Sequence, residues 1–374
     1  MLQLVPRLDA DEIGRETLDL ARHLRARGWR SLVASGGGSL LRELTAAGAT
    51  HLPVHLRDEG RLTRWRSAGR LARAIREHRV ALVHAQAPSV AATGLDAARS
   101  AAVPLVASLR DLAAPSRRSL DALAQVDRLI VASEYLAETA VERVRVTTDR
   151  VRVVRRWVDL AEFDPERVRG HRVSALAERW GLVSGAKVVV VPALPDGDRG
   201  HLLLLHAMAR LPRTDCVALF AGGFEAAGVY GKELLAAVRR AGLGERIRFG
   251  GRTDDLPALL ALADLVVLPT TLPESGGHVA AAAQAMGRPV IVCNRGALAE
   301  PVMPASTGWL VPAEDPDELG RALDLALAMD EPTRRRLAAR ARDFVAGEFG
   351  LVACADRMLA VYCELSELPL ARAG

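Results

Sequence analysis

The sequence predicts an α/β protein of two doubly wound halves, each a parallel sheet flanked by helices. Three observations predict it. Short apolar strands alternate with amphipathic helical patterns along the 374 residues, the signature of βαβ units. The scheme runs once through the first half and is repeated in the second. Residues 265–292 then read as strand, Pro-Glu-x-Gly-Gly turn, alanine-rich helix closed by Gly287, and strand, with the turn at the carboxyl end of a strand. Open α/β sheets bind ligands at such places, because loops converge there and a helix N-terminus offers free N–H groups to an anion.

In chain order, the first half predicts strands at Leu2–Val5, Ser31–Ser35, Ala81–His84, Leu105–Ser108, Arg128–Ser133 and Arg152–Val154. Helical patterns such as Glu16–Arg27 and Arg64–Arg79 lie between them. The second half predicts strands at Val188–Pro192, Val217–Ala221, Ile247–Gly250, Leu265–Pro269, Val290–Cys293 and Trp309–Val311. A final segment, about Glu331 to Leu365, is helical and rich in Ala, Leu and Arg. The expected division is 1–165, 166–345 and a terminal helix within 346–374.

Composition is globular: 50% of residues are apolar and 25% charged, enough for two cores of ordinary size. Cys216, Cys293, Cys354 and Cys363 are scattered and form no CxxC or Cys/His cluster, so they read as core residues in a reducing compartment. The chain enters a strand at Leu2 and meets Arg7 and Asp9 before a long apolar region can form, so no signal peptide is expected. No run is long enough to span a bilayer. The expected location is the cytoplasm, with peripheral contact at the inner face of the membrane as an option.

Net charge is +5, carried almost wholly by arginine, with Lys187 and Lys232 the only lysines. Arg61, Arg64, Arg66, Arg70, Arg73, Arg76 and Arg79 interleave with Leu62, Trp65, Leu71 and Ile75 at helical spacing. Such a helix either packs its apolar side on a sheet or rests on anionic lipid. Few aromatics and no binding motif exclude nucleic acid as an expected partner.

Fragments in series carry a resemblance: VASGGGSLLRELTAAGATHLPV (33–54), LVHAQAP (82–88), DRLIVASEYLAE (127–138), VDLAEFDPERV (158–168), IRFGGRTDDLPALLALADLVVLP (247–269) and TGWLVPAEDPDELGRAL (307–323). Together with 265–312 they resemble the retaining GT-B glycosyltransferases of the family four, lipopolysaccharide-type group. The resemblance implies two Rossmann-like domains facing across a cleft, with the last helix crossing back to the first domain. It also implies a nucleotide-sugar donor, no metal, no cofactor, and a lipid-linked or polysaccharide acceptor.

Residue by residue, the resemblance assigns Glu274 to the transferred sugar and Ser275, Gly276, Gly277 and His278 to a turn that donates N–H groups to phosphate. The second glutamate of that motif, which grips ribose, falls on Ala282. Arg199, before Gly200, takes the place of a phosphate-binding lysine, and Leu194 that of a phosphate-binding arginine. Gly222 and Gly223 close a strand at the donor site, and Arg252 follows Gly250-Gly251, where relatives hold the base. Arg110 falls near a histidine that faces the reacting sugar; it binds an anion or pairs with Asp111 or another carboxylate. Asp11 and Glu12 replace two loop glycines, either repelling phosphate or forming an acidic helix start. Trp157 replaces a turn glycine, by core or hinge packing. Arg199 and His278 also read as surface residues. Two functions remain open: an active transferase, or a catalytically degenerate homologue (a pseudoenzyme) acting as a binding or scaffold partner. A pyridoxal-phosphate phosphorylase is disfavoured, since neither lysine lies in a suitable motif.

Overall fold

The computed structural model describes residues 1–56, 60–111, 115–182, 185–193, 197–224 and 228–366. The chain divides into two compact units, Met1–Arg156 with Leu351–Gly374, and Trp157–Gly350.

Unit 1 holds β1 (Leu2–Leu4), β2 (Leu32–Ser35), β3 (Thr50–Pro53), β4 (Val83–Ala85), β5 (Leu105–Leu109), β6 (Arg128–Val131) and β7 (Val151–Val153). Between them run α1 (Glu12–Ala26), α2 (Leu41–Ala46), α3 (Arg61–Glu77), α4 (Pro88–Ala101), α5 (Arg117–Leu123) and α6 (Glu134–Val144). All strand pairs are parallel, in the order β3-β2-β1-β4-β5-β6-β7. Winding reverses between β1 and β4, so loops part there and leave a crevice at the carboxyl ends.

Unit 2 repeats the plan with β8 (Lys187–Val191), β9 (Cys216–Ala221), β10 (Ile247–Gly250), β11 (Leu265–Leu268), β12 (Val290–Cys293) and β13 (Trp309–Val311). Its helices are α7 (Gly170–Arg179), α8 (His201–Arg210), α9 (Val229–Arg240), α10 (Leu256–Leu262), α11 (His278–Ala285), α12 (Pro316–Ala328) and α13 (Glu331–Phe349). The parallel order β10-β9-β8-β11-β12-β13 puts its reversal between β8 and β11. Both units are therefore Rossmann-like, as the alternation predicts.

Period-two alternation explains the double-sided burial. Val188 and Val190 of β8 join the core on one face of the sheet, and Val189 and Val191 join the core on the other. Each such side chain contributes about 1.5–3 kcal/mol by leaving water.

Two elements depart from the sequence reading. β3 carries no strong apolar run, because it is an edge strand with Thr50 and Pro53 exposed. The terminal helical segment is two helices: Gly350, with ψ 144, leaves the helical region after α13, and α14 (Leu351–Cys363) follows. α14 packs in unit 1 against α1. Asp356 meets His23 Nε2 at 2.7 Å and Arg27 at 2.7 Å, and Glu364 accepts from Arg128 and Arg152. Cys216, Cys293 and Cys354 are buried and Cys363 partly so; burial pushes the Cys293 thiol up to about 12. Trp157 is buried.

Candidate functional site

In unit 2 the loop after β8 is pressed onto the end of β11. Gly200 makes this approach: its φ is +71, and a Cβ there would lie 1.8 Å from the Pro269 carbonyl oxygen. Thr271 reinforces it, donating from its backbone N–H (3.0 Å) and its hydroxyl (3.1 Å) to the Asp198 carbonyl. The consequence is a contact between Arg199 and Glu274: the guanidinium donates to Glu274 Oε1, which also accepts from Thr270 Oγ1 at 3.1 Å. Glu274 is held from the other side as well. Its backbone bridges to Gly296, and its carbonyl accepts from the Ala297 N–H at 2.8 Å.

Just beyond, α11 starts at His278 with Gly277 as its N-cap and no side-chain cap, so its first turn directs N–H groups outward past the Ser275–Gly277 turn. The His278 ring meets Phe163 edge-on at 6.3 Å between centroids. Ala282, by contrast, is 0% exposed among Ala280, Ala281 and Ala283 in the core. It supplies no acceptor. Sequence reasoning missed Gln284, fully buried, whose Nε2 donates to the Pro301 carbonyl at 2.6 Å and fixes α11 to the following loop.

Gly222 and Gly223 follow β9 at its carboxyl end, with Gly223 at φ 92. Arg252 follows β10 at the sheet edge and lines a pocket of about 690 Å³ with Arg172, Arg179, Asp254 and Asp255. Neither Arg199 nor Glu274 lines this pocket. Asp255 holds Arg172 by a two-pronged ion pair, which keeps its carboxyl below the usual range. Leu194 lies outside the described residues.

In unit 1 the carboxylates of the first loop have structural partners. Asp11 caps α1 by accepting the Gly14 N–H at 2.8 Å, and a Cβ on Gly14 would lie 1.9 Å from the Asp9 carbonyl oxygen. Glu12 pairs with Arg156 at 2.6 Å; burial pushes its carboxyl up, against the pull of Arg156. Glu16, 7% exposed, accepts from both Arg110 (2.7 Å) and Arg156 (2.9 Å). Arg110 also donates to the Gln86 backbone carbonyl and, at 3.0 Å, to its side-chain oxygen. Its partner is thus Glu16 on α1. With its donors so engaged, Arg110 acts as a brace at the β1/β4 reversal. Asp11, Glu12, Gln86, Arg110 and Asp111 line a pocket of about 200 Å³ there.

Two residues before Gln86 lies a group that sequence reasoning missed. His84, fully buried on β4, contacts Ser108 Oγ at 2.8 Å and the Tyr362 hydroxyl of α14 at 2.7 Å. Burial, with the Arg110 charge adding, lowers its pKa to about 3, so the ring is neutral at physiological pH. Among the described residues no cluster of His, Cys, Asp and Glu is arranged to hold a metal ion.

Residues 13–162 match the family model described as Glycosyltransferase Family 4, and residues 176–344 match Glycosyl transferases group 1. The D-inositol 3-phosphate glycosyltransferase of Mycobacterium sp. (strain KMS) is 35% identical over 217 residues, 57% of this chain and 48% of that protein. The chain thus spans about half the length of the curated relatives it matches. Among solved structures, a glycosyltransferase from Rickettsia africae ESF-5 superposes with TM-score 0.82 at 20% identity, covering 97% of both chains. Anabaena HepE in complex with UDP gives 0.78 at 22%, covering 97% of this chain and 99% of its own. These likenesses establish the fold. Two glycosyltransferase family models thus match the chain in succession, Glycosyltransferase Family 4 and then Glycosyl transferases group 1, and the fold is GT-B.

Proposed function

We propose that the chain is a nucleotide-sugar-dependent glycosyltransferase that passes a sugar, with retention of configuration, to a lipid-linked or polysaccharide acceptor of the cell envelope. It works in the cytoplasm, in peripheral contact with the membrane. The observation that carries this reading is the convergence of Arg199 and Glu274 at the β8/β11 reversal, beside the uncapped start of α11. The matching domains and the UDP held by HepE support it.

In this reading the donor diphosphate lies against the first-turn N–H groups of α11 and the Arg199 guanidinium. As the sugar–phosphate bond breaks, negative charge grows on the departing diphosphate, and these fixed donors stabilise it more than they stabilise the intact donor. Glu274, oriented by Thr270 and by its bridge to Gly296, accepts from hydroxyls of the transferred sugar. Gly222 and Gly223 leave room beside the diphosphate.

One observation favours a second reading, a non-catalytic binding or scaffold partner: the position expected to grip ribose is the apolar, fully buried Ala282. A panel of nucleotide sugars, UDP-sugars first, separates the two. A rise in melting temperature with release of free nucleotide diphosphate supports transfer. A rise without turnover across candidate acceptors, or no rise with any donor, sinks the transferase reading and leaves the partner reading.

A further inference from the structure

The outer face of α3 combines exposed apolar side chains with dense positive charge. Leu62 and Trp65 are each 73% exposed on its first two turns, and the helix carries six arginines against one glutamate. Leu62, Trp65, Arg66, Gly69 and Arg73 follow one another at steps of one, three or four residues and so share one broad stripe. The opposite face is spent on the fold. Leu71, Ala72 and Ile75 are buried, and the helix packs against α4.

The arginines divide the same way. Arg64 pairs with Asp96 at 3.1 Å, Arg70 donates to the Pro53 carbonyl at 3.1 Å, and Arg76 donates to the Ser100 carbonyl at 3.2 Å. These anchor α3 to unit 1. Arg61, Arg66 and Arg73 are exposed, and among the described residues none has a carboxylate partner. A Cβ on Gly69, midway along the stripe, would meet nothing within 4 Å, so a flat partner can come close to the helix there.

We propose that this face of α3 docks the chain on an anionic lipid bilayer. Leu62 and Trp65 enter the boundary between headgroups and acyl chains, while Arg61, Arg66 and Arg73 meet lipid phosphates. Charge complementarity selects the occupant, since guanidinium groups without a carboxylate partner among the described residues call for a surface dense in phosphate. The adjacent aliphatic and indole side chains call for an apolar layer directly beneath it, which a nucleic acid does not offer. This assignment rests on the membrane contact of the proposed function, but its test reads lipid binding alone and is independent of sugar transfer.

The test is sedimentation of the full chain with vesicles of phosphatidylcholine, or of phosphatidylcholine mixed equally with phosphatidylglycerol. Binding to the anionic vesicles should be roughly ten- to hundredfold tighter and should weaken with salt. Brominated lipid should quench Trp65 fluorescence, and Trp65→Phe should remove that signal while leaving the buried tryptophans unchanged. Leu62→Ser with Trp65→Ser, and separately Arg61→Glu with Arg66→Glu and Arg73→Glu, should each abolish sedimentation without lowering the melting temperature, because all five positions are exposed. Equal binding to both vesicle types would overturn the proposal. So would retention of binding by folded variants, or displacement of the chain from vesicles by an oligonucleotide that binds the Ser variant equally well.

Discussion

The Arg199 guanidinium and the Glu274 carboxylate, brought by the loops after neighbouring strands β8 and β11, form an ion pair. Each is therefore the other's competitor for the ligand groups they are proposed to meet. In the proposed reading a diphosphate draws Arg199 away from Glu274, because two phosphates present more charge than one carboxylate.

Arg199→Ala should lower UDP affinity by roughly ten- to hundredfold, the loss of one charge-assisted contact of about 1.5–3 kcal/mol. Calorimetry with UDP measures it. Unchanged affinity would return Arg199 to the surface.

Glu274→Gln should have the opposite effect on the nucleotide. Freed from its carboxylate, Arg199 binds UDP severalfold more tightly, while any sugar transfer falls because the hydroxyl acceptor is weakened. Titration with UDP beside a turnover assay reads both, and weaker UDP binding in this variant contradicts the pairing argument.

Ala282→Glu should destabilise the chain by about 2 kcal/mol or more, since it adds volume and a carboxylate to a fully buried core position. Thermal unfolding with and without UDP tests this. An unchanged melting temperature together with tighter UDP binding would show that a side chain at this position reaches the ligand.

His84 should make stability fall as the solution is acidified. Its folded pKa, about 3, lies below the usual 6.5, so between those values the unfolded chain binds a proton that the folded chain refuses. The stability is fully present above about 6.5 and declines toward pH 3, by up to about 1.4 kcal/mol per pH unit. His84→Gln should flatten this part of the profile. An identical profile in the variant assigns the acid sensitivity elsewhere.

Glu16→Ala should cost about 3–5 kcal/mol, because it strands Arg110 and Arg156 beside a buried site. Chemical denaturation of Glu16→Ala, Arg110→Ala and the double variant gives the coupling. If the single losses simply add, the brace is not a unit.

Legibility in the sequence followed burial. Strands such as Val188–Val191 are apolar on both faces and announce themselves, whereas the half-exposed edge strand Thr50–Pro53 does not. The Glu274 turn was readable because its strand, glycines and helix are contiguous. Asp11 and Glu12 carried a negative charge whose meaning depended on Gly14 and on Arg156, which lies far along the chain. His84 and Tyr362 meet across 278 positions, a separation at which no local pattern reports a contact. Gln284 was hidden because a buried amide serving a distant carbonyl resembles any helical glutamine until the Pro301 loop is placed beside it.

The assignment of α14 to unit 1 has a consequence for how the chain is made. Unit 2 is continuous in sequence, so it can be completed on the ribosome as soon as Gly350 has emerged. Unit 1 is synthesised first yet cannot close until Leu351–Cys363 arrives, and meanwhile the side of His84 later covered by Tyr362 stays open. The earlier-born unit is thus the later one to mature. A fragment ending near Arg156 is an unfinished unit, since it lacks the helix whose Tyr362 meets His84.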